Sequence, residues 1–397
     1  MMLSKISRTF VACNVYVSAG GNPNHRDVLL KLLGETQELC RLANHREKSN
    51  RENNSAPAPS RRVAVVHSFR DGPYDRSSFH LAGSPDLVAA VGSSLAVRAV
   101  QALLRYETSG VGNVVGEGNG RDPRRVEQGE REWNGKRHPT VGIVDHVSVL
   151  PLCEKKRTNK TGDYDSEDGH GNTVDPDEKT EFANATGSVA KSIGERLTLS
   201  GADVLYYGHA HPSGKELAAV RRDSTRFFKD GGDSENNHGA TPTHQKETSK
   251  PAANAAVGQA TVGAPHGFVE NYNIRLKPGV SRRMARTLTE SVRERSGRGL
   301  PFVEALTLAY GRDQYEVACN LLDPSVTSAR DVEERMKIWE QQQQEEDASG
   351  GLVDTAYRVG TTVEMCLAAL REVSTEEGEI AHNKRVFNRL EEYFLVP

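Results

Sequence analysis

Four long polar stretches interrupt this chain, and they limit what the remainder can fold into. They cover roughly 44–61, 107–136, 155–182 and 229–256, each rich in Gly, Asn, Asp, Glu, Lys or Pro and without a sustained apolar period. Such composition belongs to loops and disorder. Loops of this length are uncommon inside compact domains. The pattern therefore predicts a compact fold interrupted at loop tips, where insertions are tolerated.

Between the interruptions the periodic segments are clear. Thr9 to Val17 alternates like a half-buried strand. Pro23 and Asn24 open a helix carrying Val28, Leu29, Leu32, Leu33 and Leu39 on one face. Val63–Phe69 and Ser77–Leu81 read as strands. Ser84-Pro85-Asp86 then starts a helix to about Arg105, with a hydroxyl cap, a proline at the first position and an acid against the dipole. Val141–Leu150 is a strand, Ser188–Leu199 a helix, Ala202–Tyr207 a strand and Lys215–Phe228 a helix. After the last interruption come a strand at Gly267–Leu276, a helix at Ser281–Arg295 and strands at Phe302–Tyr310 and Tyr315–Leu321. A charged helix at Ala329–Gln344, a strand at Leu352–Val359 and two closing helices end the chain.

Both halves thus run β-α-β-β-α-β, the first with an added strand–helix pair. The expected class is α+β: two ferredoxin-like βαββαβ-type subdomains flanking a ligand cleft. The division expected is an N-terminal subdomain over 1–230, a linker at 231–256 and a C-terminal subdomain over 257–397.

Composition removes several classes. At 397 residues the chain is long enough for two or three folding units. The mean hydropathy of -0.61 is polar, but that polarity is concentrated in the interruptions. A net charge of -3, with acids and bases mixed, offers no concentrated basic face for nucleic acid. The five cysteines, Cys13, Cys40, Cys153, Cys319 and Cys366, show no CxxC spacing, which excludes a zinc ribbon and fits a reducing compartment. The longest unbroken apolar run is far short of the ~20 residues that span a bilayer. The N-terminus passes almost at once into a strand, so a cytoplasmic protein is expected.

The densest candidate for chemistry is Arg137-His138-Pro139-Thr140-Val141-Gly142-Ile143-Val144-Asp145-His146, where a polar loop enters an apolar strand. Imidazole titrates near ~6.5 and can donate or accept a proton at neutral pH. Gly142 leaves room for close approach to the strand. Whether Asp145 shares a site with His138 is for the fold to decide. A loop histidine with no task is the plainer reading.

A second cluster, Tyr206-Tyr207-Gly208-His209-Ala210-His211-Pro212, holds an HxH that can ligate a metal, with Asp145 as a further ligand. An exposed histidine pair at a helix start explains the same residues, and no metal is assigned. Arg76, at a strand start, suits a substrate carboxylate or a surface salt bridge. Gly20-Gly21 offers amides to an anion but lacks any phosphate-loop pattern.

Six segments carry a resemblance: CNVYVSAG, VVHSFRDGPYDRSSFHLAG, HPTVGIVDHVSVLP, LYYGHA, ENYNIRL and YEVACNLLDPSVT. Their order and rough spacing resemble the formiminotransferase domain, closest to plant and algal-type members that stand alone without a cyclodeaminase half. The match covers nearly the whole chain outside the interruptions. It implies two α/β subdomains around a folate-binding cleft and transfer of a formimino or formyl group from N-formimino-L-glutamate to tetrahydrofolate, the co-substrate.

It further implies His138 as the catalytic acid/base, with Arg76, Asp145, Arg137 and Gly142 around the substrates. Expected partners are small molecules and a second copy in a homodimer, with neither nucleic acid nor membrane. The chain departs from the family pattern in places. The arginine after His-Pro is Thr140, the segment after the first strand reads Tyr16-Val17-Ser18-Ala19-Gly20, and Pro242-Thr243-His244 does not match the element before the second subdomain. These departures leave a catalytically impaired folate-binding or interaction protein as the alternative, with a metal-dependent hydrolase behind it.

Overall fold

The computed structural model describes residues 9–52, 61–108, 141–152, 176–224, 256–311, 313–344 and 351–395. The fold is α+β with two sheets. The first begins with β1 (Phe10–Val17), α1 (His25–Glu52), β2 (Val63–Asp71), β3 (Arg76–Gly83), α2 (Pro85–Thr108) and β4 (Val144–Leu152). It continues with α3 (Pro176–Leu199), β5 (Asp203–Gly208), α4 (Leu217–Ser224) and β6 (Gln259–Ala264). Its strand order is β2-β3-β1-β4-β6-β5, antiparallel up to β4 and parallel across β4, β6 and β5.

The second sheet is built from β7 (Glu270–Leu276), α5 (Arg282–Val292), β8 (Val303–Tyr310), β9 (Gln314–Leu321), α6 (Ala329–Gln344) and β10 (Val353–Arg358). Its order is β10-β7-β9-β8, all antiparallel. Counted within each β-α-β-β-α-β run, the strands of the two units take the same spatial order. The repeated element order read from the sequence is therefore a repeated topology.

Alternation along the strands decides what each sheet face buries. On β1, Val11, Cys13, Val15 and Val17 point into the core under α1, α2 and α3, and all four are fully buried. In the second sheet Ile274, Leu276, Val317, Cys319 and Leu321 pack beneath α5 and α6 with Trp339. Helix starts use local caps: the side chains of Ser281, Thr362 and Thr375 accept from Met284 N, Met365 N and Gly378 N. Ser84 differs from expectation. The helix does begin at Pro85, but the Ser84 hydroxyl accepts from Arg62 N, on the segment leading into β2.

The expected division of the chain does not match sheet membership. β6 was not foreseen, and it joins the first sheet between β4 and β5. The closing helices α7 (Val363–Glu372) and α8 (Glu376–Glu392) also return to that sheet, α7 packing on β2, β3 and β4. The cause is the sheet's second face, where Ala12, Ala64, Val66, Ala82, Leu150 and Leu152 would face water without Cys366, Ala369, Leu370 and Val373.

Two polar stretches are also partly structured. Helix α1 runs on to Glu52, with the Asn44 amide bonded to Val63 O and to Glu379. Helix α3 begins at Pro176 and buries Phe182.

Helix α2 holds one described segment, Pro85–Tyr106, long and apolar enough by length and composition to cross a membrane. Asp86, Arg98 and Arg105 interrupt its apolar run, although the average over the segment stays high. In the fold it is a core helix, with Val88, Leu95, Ala96 and Ala99 buried against the sheet. The described cysteines Cys13, Cys40, Cys319 and Cys366 are free and buried, and burial pushes the Cys13, Cys319 and Cys366 thiols up to about 12.

Candidate functional site

The polar positions of the strands meet between the sheets. On the first sheet the face opposite α1–α3 carries Asn14 and Tyr16 on β1, Ser78 and His80 on β3, and His146 and Ser148 on β4. They are direct cross-strand neighbours: Asn14 lies opposite His80 and Ser148, and Tyr16 opposite Ser78 and His146. On the second sheet the face opposite α5 and α6 carries Asn271, Asn273 and Arg275 on β7, Glu316 on β9 and Tyr357 on β10. Tyr16 Oη donates to Asn271 Oδ1 at 3.0 Å, Phe69 stacks with Tyr357 at 6.4 Å and Tyr74 meets Tyr310 edge-on at 5.1 Å. Two polar sheet faces thus form one seam.

At the end of this seam where β3 and β4 begin, Arg76 Nη2 lies 3.1 Å from Asp145 Oδ2, with only 2% of the Asp145 side chain exposed. The Arg76 guanidinium sits over the Tyr16 ring at 4.5 Å. Arg221 reaches in from α4 and donates to Thr261 Oγ1 at 3.2 Å, while Thr261 donates to the Asp145 carbonyl at 3.1 Å. His146 stacks on Tyr16 at 5.4 Å and bonds Tyr207 Oη through Nε2 at 3.0 Å. Burial is the largest influence on both neighbours: it raises the Tyr16 phenol and lowers Arg221, while the charges of Asp145 and Arg76 act in smaller, opposing ways. Chemically this is a partly buried wall with two guanidiniums and one carboxylate.

Behind it, Asn14 Oδ1, His80 and Ser78 form a buried chain, with contacts of 2.8 and 2.9 Å at the two ring nitrogens of His80. Burial holds His80 well below its ordinary range and His67 at about 4, so both are neutral at pH 7.

A second cluster lies where the β2–β3 hairpin meets the second sheet. Glu316 is fully buried and accepts from Tyr357 Oη at 2.6 Å and Asn273 Nδ2 at 2.7 Å. Arg275 lies over Tyr310 at 3.9 Å and donates to its hydroxyl at 2.6 Å. Asp71 is 6% exposed, and its carboxyl is raised to about 7 by burial first and then by Glu316.

Two of the sequence candidates, Arg76 and Asp145, are thereby brought together. Gly142 plays a different part from the one expected. It bridges Gly258, and a Cβ there would meet Gln259 O at 2.4 Å, so what approaches closely is the chain's own backbone. Arg137, His138 and Thr140 lie outside the described residues.

The Gly20-Gly21 amides are occupied, Gly21 N donating to Asp75 Oδ1 at 2.6 Å and Gly20 N to His25 Nδ1 at 3.3 Å. Asp145 does not complete an HxH metal site, because Arg76 engages it. His211 turns Nδ1 to its own loop, accepting from Ser213 N at 3.1 Å. Among the described residues, no three His, Cys, Asp or Glu gather to hold a metal ion.

Arg221, Asp71 and Glu316 were not singled out by the sequence reading, and Tyr16, His146 and Tyr207 stood within its quoted segments without a role. For Tyr16 and His146 the signal was present, since alternation places them on the polar strand face. What it lacked was any indication that this face meets a second sheet.

The fold and the seam define a two-sheet α+β protein with a charged wall suited to carboxylates. No protein-family model matches the chain. A formiminotransferase cyclodeaminase-like protein of Arabidopsis thaliana is 25% identical over 278 residues, which are 68% of this chain and 76% of that protein. This similarity supports a formiminotransferase-related family. Among solved structures, the periplasmic protease PqqL from Escherichia coli aligns with 99% of this chain but only 41% of its own, at 11% identity and a TM-score of 0.16. A score that low carries nothing about fold or chemistry.

Proposed function

We propose that this chain is a folate-linked one-carbon transferase that moves a formimino or formyl group from N-formimino-L-glutamate to tetrahydrofolate. The observation that carries the reading is the pair Arg76 and Arg221 around Asp145. Both substrates bear carboxylates, and guanidiniums in a partly buried wall bind them with charge and fork geometry. Asp145 would serve by holding Arg76 in place. The similarity to the Arabidopsis thaliana protein, which is named for this chemistry, supports the same reading.

In the reaction, N5 of the folate attacks the formimino carbon. The bond from N5 to carbon forms, the bond from carbon to the glutamate nitrogen breaks, and the proton lost by N5 is delivered to that nitrogen. His138 is the residue proposed to carry it, since an imidazole can both accept and donate a proton near neutral pH.

Titrating the purified protein with tetrahydrofolate, with and without formiminoglutamate, tests the reading. Saturable folate binding with donor-dependent turnover is expected, and His138→Ala should lower turnover by ~10²–10⁴-fold, the usual contribution of a positioned acid/base. Absence of folate binding would overturn the assignment. Folate binding without turnover would favour a catalytically silent folate-binding protein, a reading that Thr140, in place of an arginine, supports.

A further inference from the structure

The HxH motif at the end of β5 is unused by the proposed reaction, and its geometry points elsewhere than its spacing. We propose that His209 and His266 form a binding site for one divalent transition cation of the zinc, nickel or copper kind, with Glu216 as the outer carboxylate. The two histidines are 57 residues apart in sequence, yet they sit just beyond the carboxyl ends of adjacent parallel strands, where Gly208 of β5 pairs with Ala264 of β6. That end of a parallel sheet is a general location for ligands.

The backbone there is tightly held. His209 N donates to Ala264 O at 2.8 Å, and Gly208 has a φ of 58° with no room for a Cβ against Ala264 O. His209 Nε2 and His266 Nδ1 lie 3.1 Å apart. With metal–nitrogen bonds of ~2.0–2.1 Å, that separation gives an angle of roughly 100° at a shared cation, between square-planar and tetrahedral values.

The other ring nitrogen of His266 is 2.9 Å from Glu216 Oε1. A proton kept on that nitrogen for the carboxylate leaves the Nδ1 lone pair available, the arrangement by which outer carboxylates orient ligating histidines. For His209 to ligate, its proton moves from Nε2 to Nδ1 and none is lost. Water completes the coordination, since no third protein ligand gathers among the described residues. His209 also lines a recess of about 370 Å³ on α3 with Ser188, Lys191 and Glu195. The cation would therefore sit at the rim of a polar recess and tie the β5–α4 loop to the β6–β7 connection.

The test is calorimetric titration of the full chain with Zn²⁺ alone, together with thermal melts with and without the metal. The parent should bind one saturable equivalent that raises its melting temperature. His209→Ala and His266→Ala should each remove that equivalent, and Glu216→Gln should weaken it by about 10–100-fold. His211→Ala should leave it intact. Circular dichroism establishes that each variant is folded. A parent without this equivalent, or variants at His209 and His266 that retain it, would overturn the site, as would its loss in His211→Ala alone.

Discussion

Gly142 and Thr140 stand two residues apart and call for different tests. A methyl group at Gly142 would push into the backbone of Gln259, whose O and N lie 2.4 and 2.8 Å from the Cβ position. Gly142→Ala should therefore cost on the order of 1–3 kcal/mol of stability, the usual penalty for overpacking. Denaturant unfolding measures it. Unchanged stability with a raised KM would return Gly142 to substrate binding. Thr140 is the sharpest departure from the family pattern. If an arginine there normally holds the donor carboxylate, Thr140→Arg should lower KM for formiminoglutamate more than it changes kcat, by ~1.5–3 kcal/mol in binding. Should Arg137 already supply that contact, Thr140→Arg would do little and Arg137→Ala would raise KM. Donor KM values for the two variants decide between them, and no change in either would remove this stretch from donor binding.

At the scale of elements, polar composition proved a poor guide to where helices end. The stretch 155–182 has almost no apolar residues, yet α3 begins inside it and Phe182 is only 6% exposed. Two deletions separate composition from packing. Removing 155–174 with a short Gly/Ser bridge should shift the melting temperature little, because so few apolar residues are lost. Extending the cut through Phe182 should cost ~3–5 kcal/mol, the range for emptying a buried phenylalanine site. Equal effects from both cuts would show that Phe182 contributes nothing. Asn44 is a comparable case on α1: a residue placed in a polar interruption is a half-buried bridge among α1, β2 and α8.

For the whole molecule, the seam between the sheets is where pH should act. Asp71 contacts its environment from the β2–β3 hairpin, and its carboxyl is raised to about 7 by burial and by Glu316, with Arg275 and Arg70 opposing. An acid whose folded value exceeds its unfolded value binds more protons when folded, so stability falls as pH rises between the two. The contribution is complete below about pH 4, declines through about pH 7 and is absent above it. Asp71→Asn should flatten this slope, leaving the variant more stable than the parent at pH 8 relative to pH 5, by a few kcal/mol at most. Unfolding free energies at the two pH values check it. A parent and variant with the same pH dependence would show that Asp71 ionises without strain in the seam.

What the sequence determined by itself was local. Alternation along Thr9–Val17 already put Asn14 and Tyr16 on one face and the valines on the other, and the repeated β-α-β-β-α-β order was legible because strand and helix periods are short-range properties. Ser84-Pro85-Asp86 likewise announced the start of α2, since a proline at the first helical position and an acid against the dipole are local preferences, although the Ser84 hydroxyl itself turned to Arg62 N. Only the tertiary structure decided what covers those faces. β6 joins the first sheet through partners more than fifty residues away in β5 and more than a hundred away in β4, and α7 seats on strands formed near the other end of the chain. Arg76 finds Asp145 across 69 residues, and His209 finds His266 across 57. Such contacts leave no periodic trace, because their energy depends on the global path of the backbone and not on the neighbours of either residue.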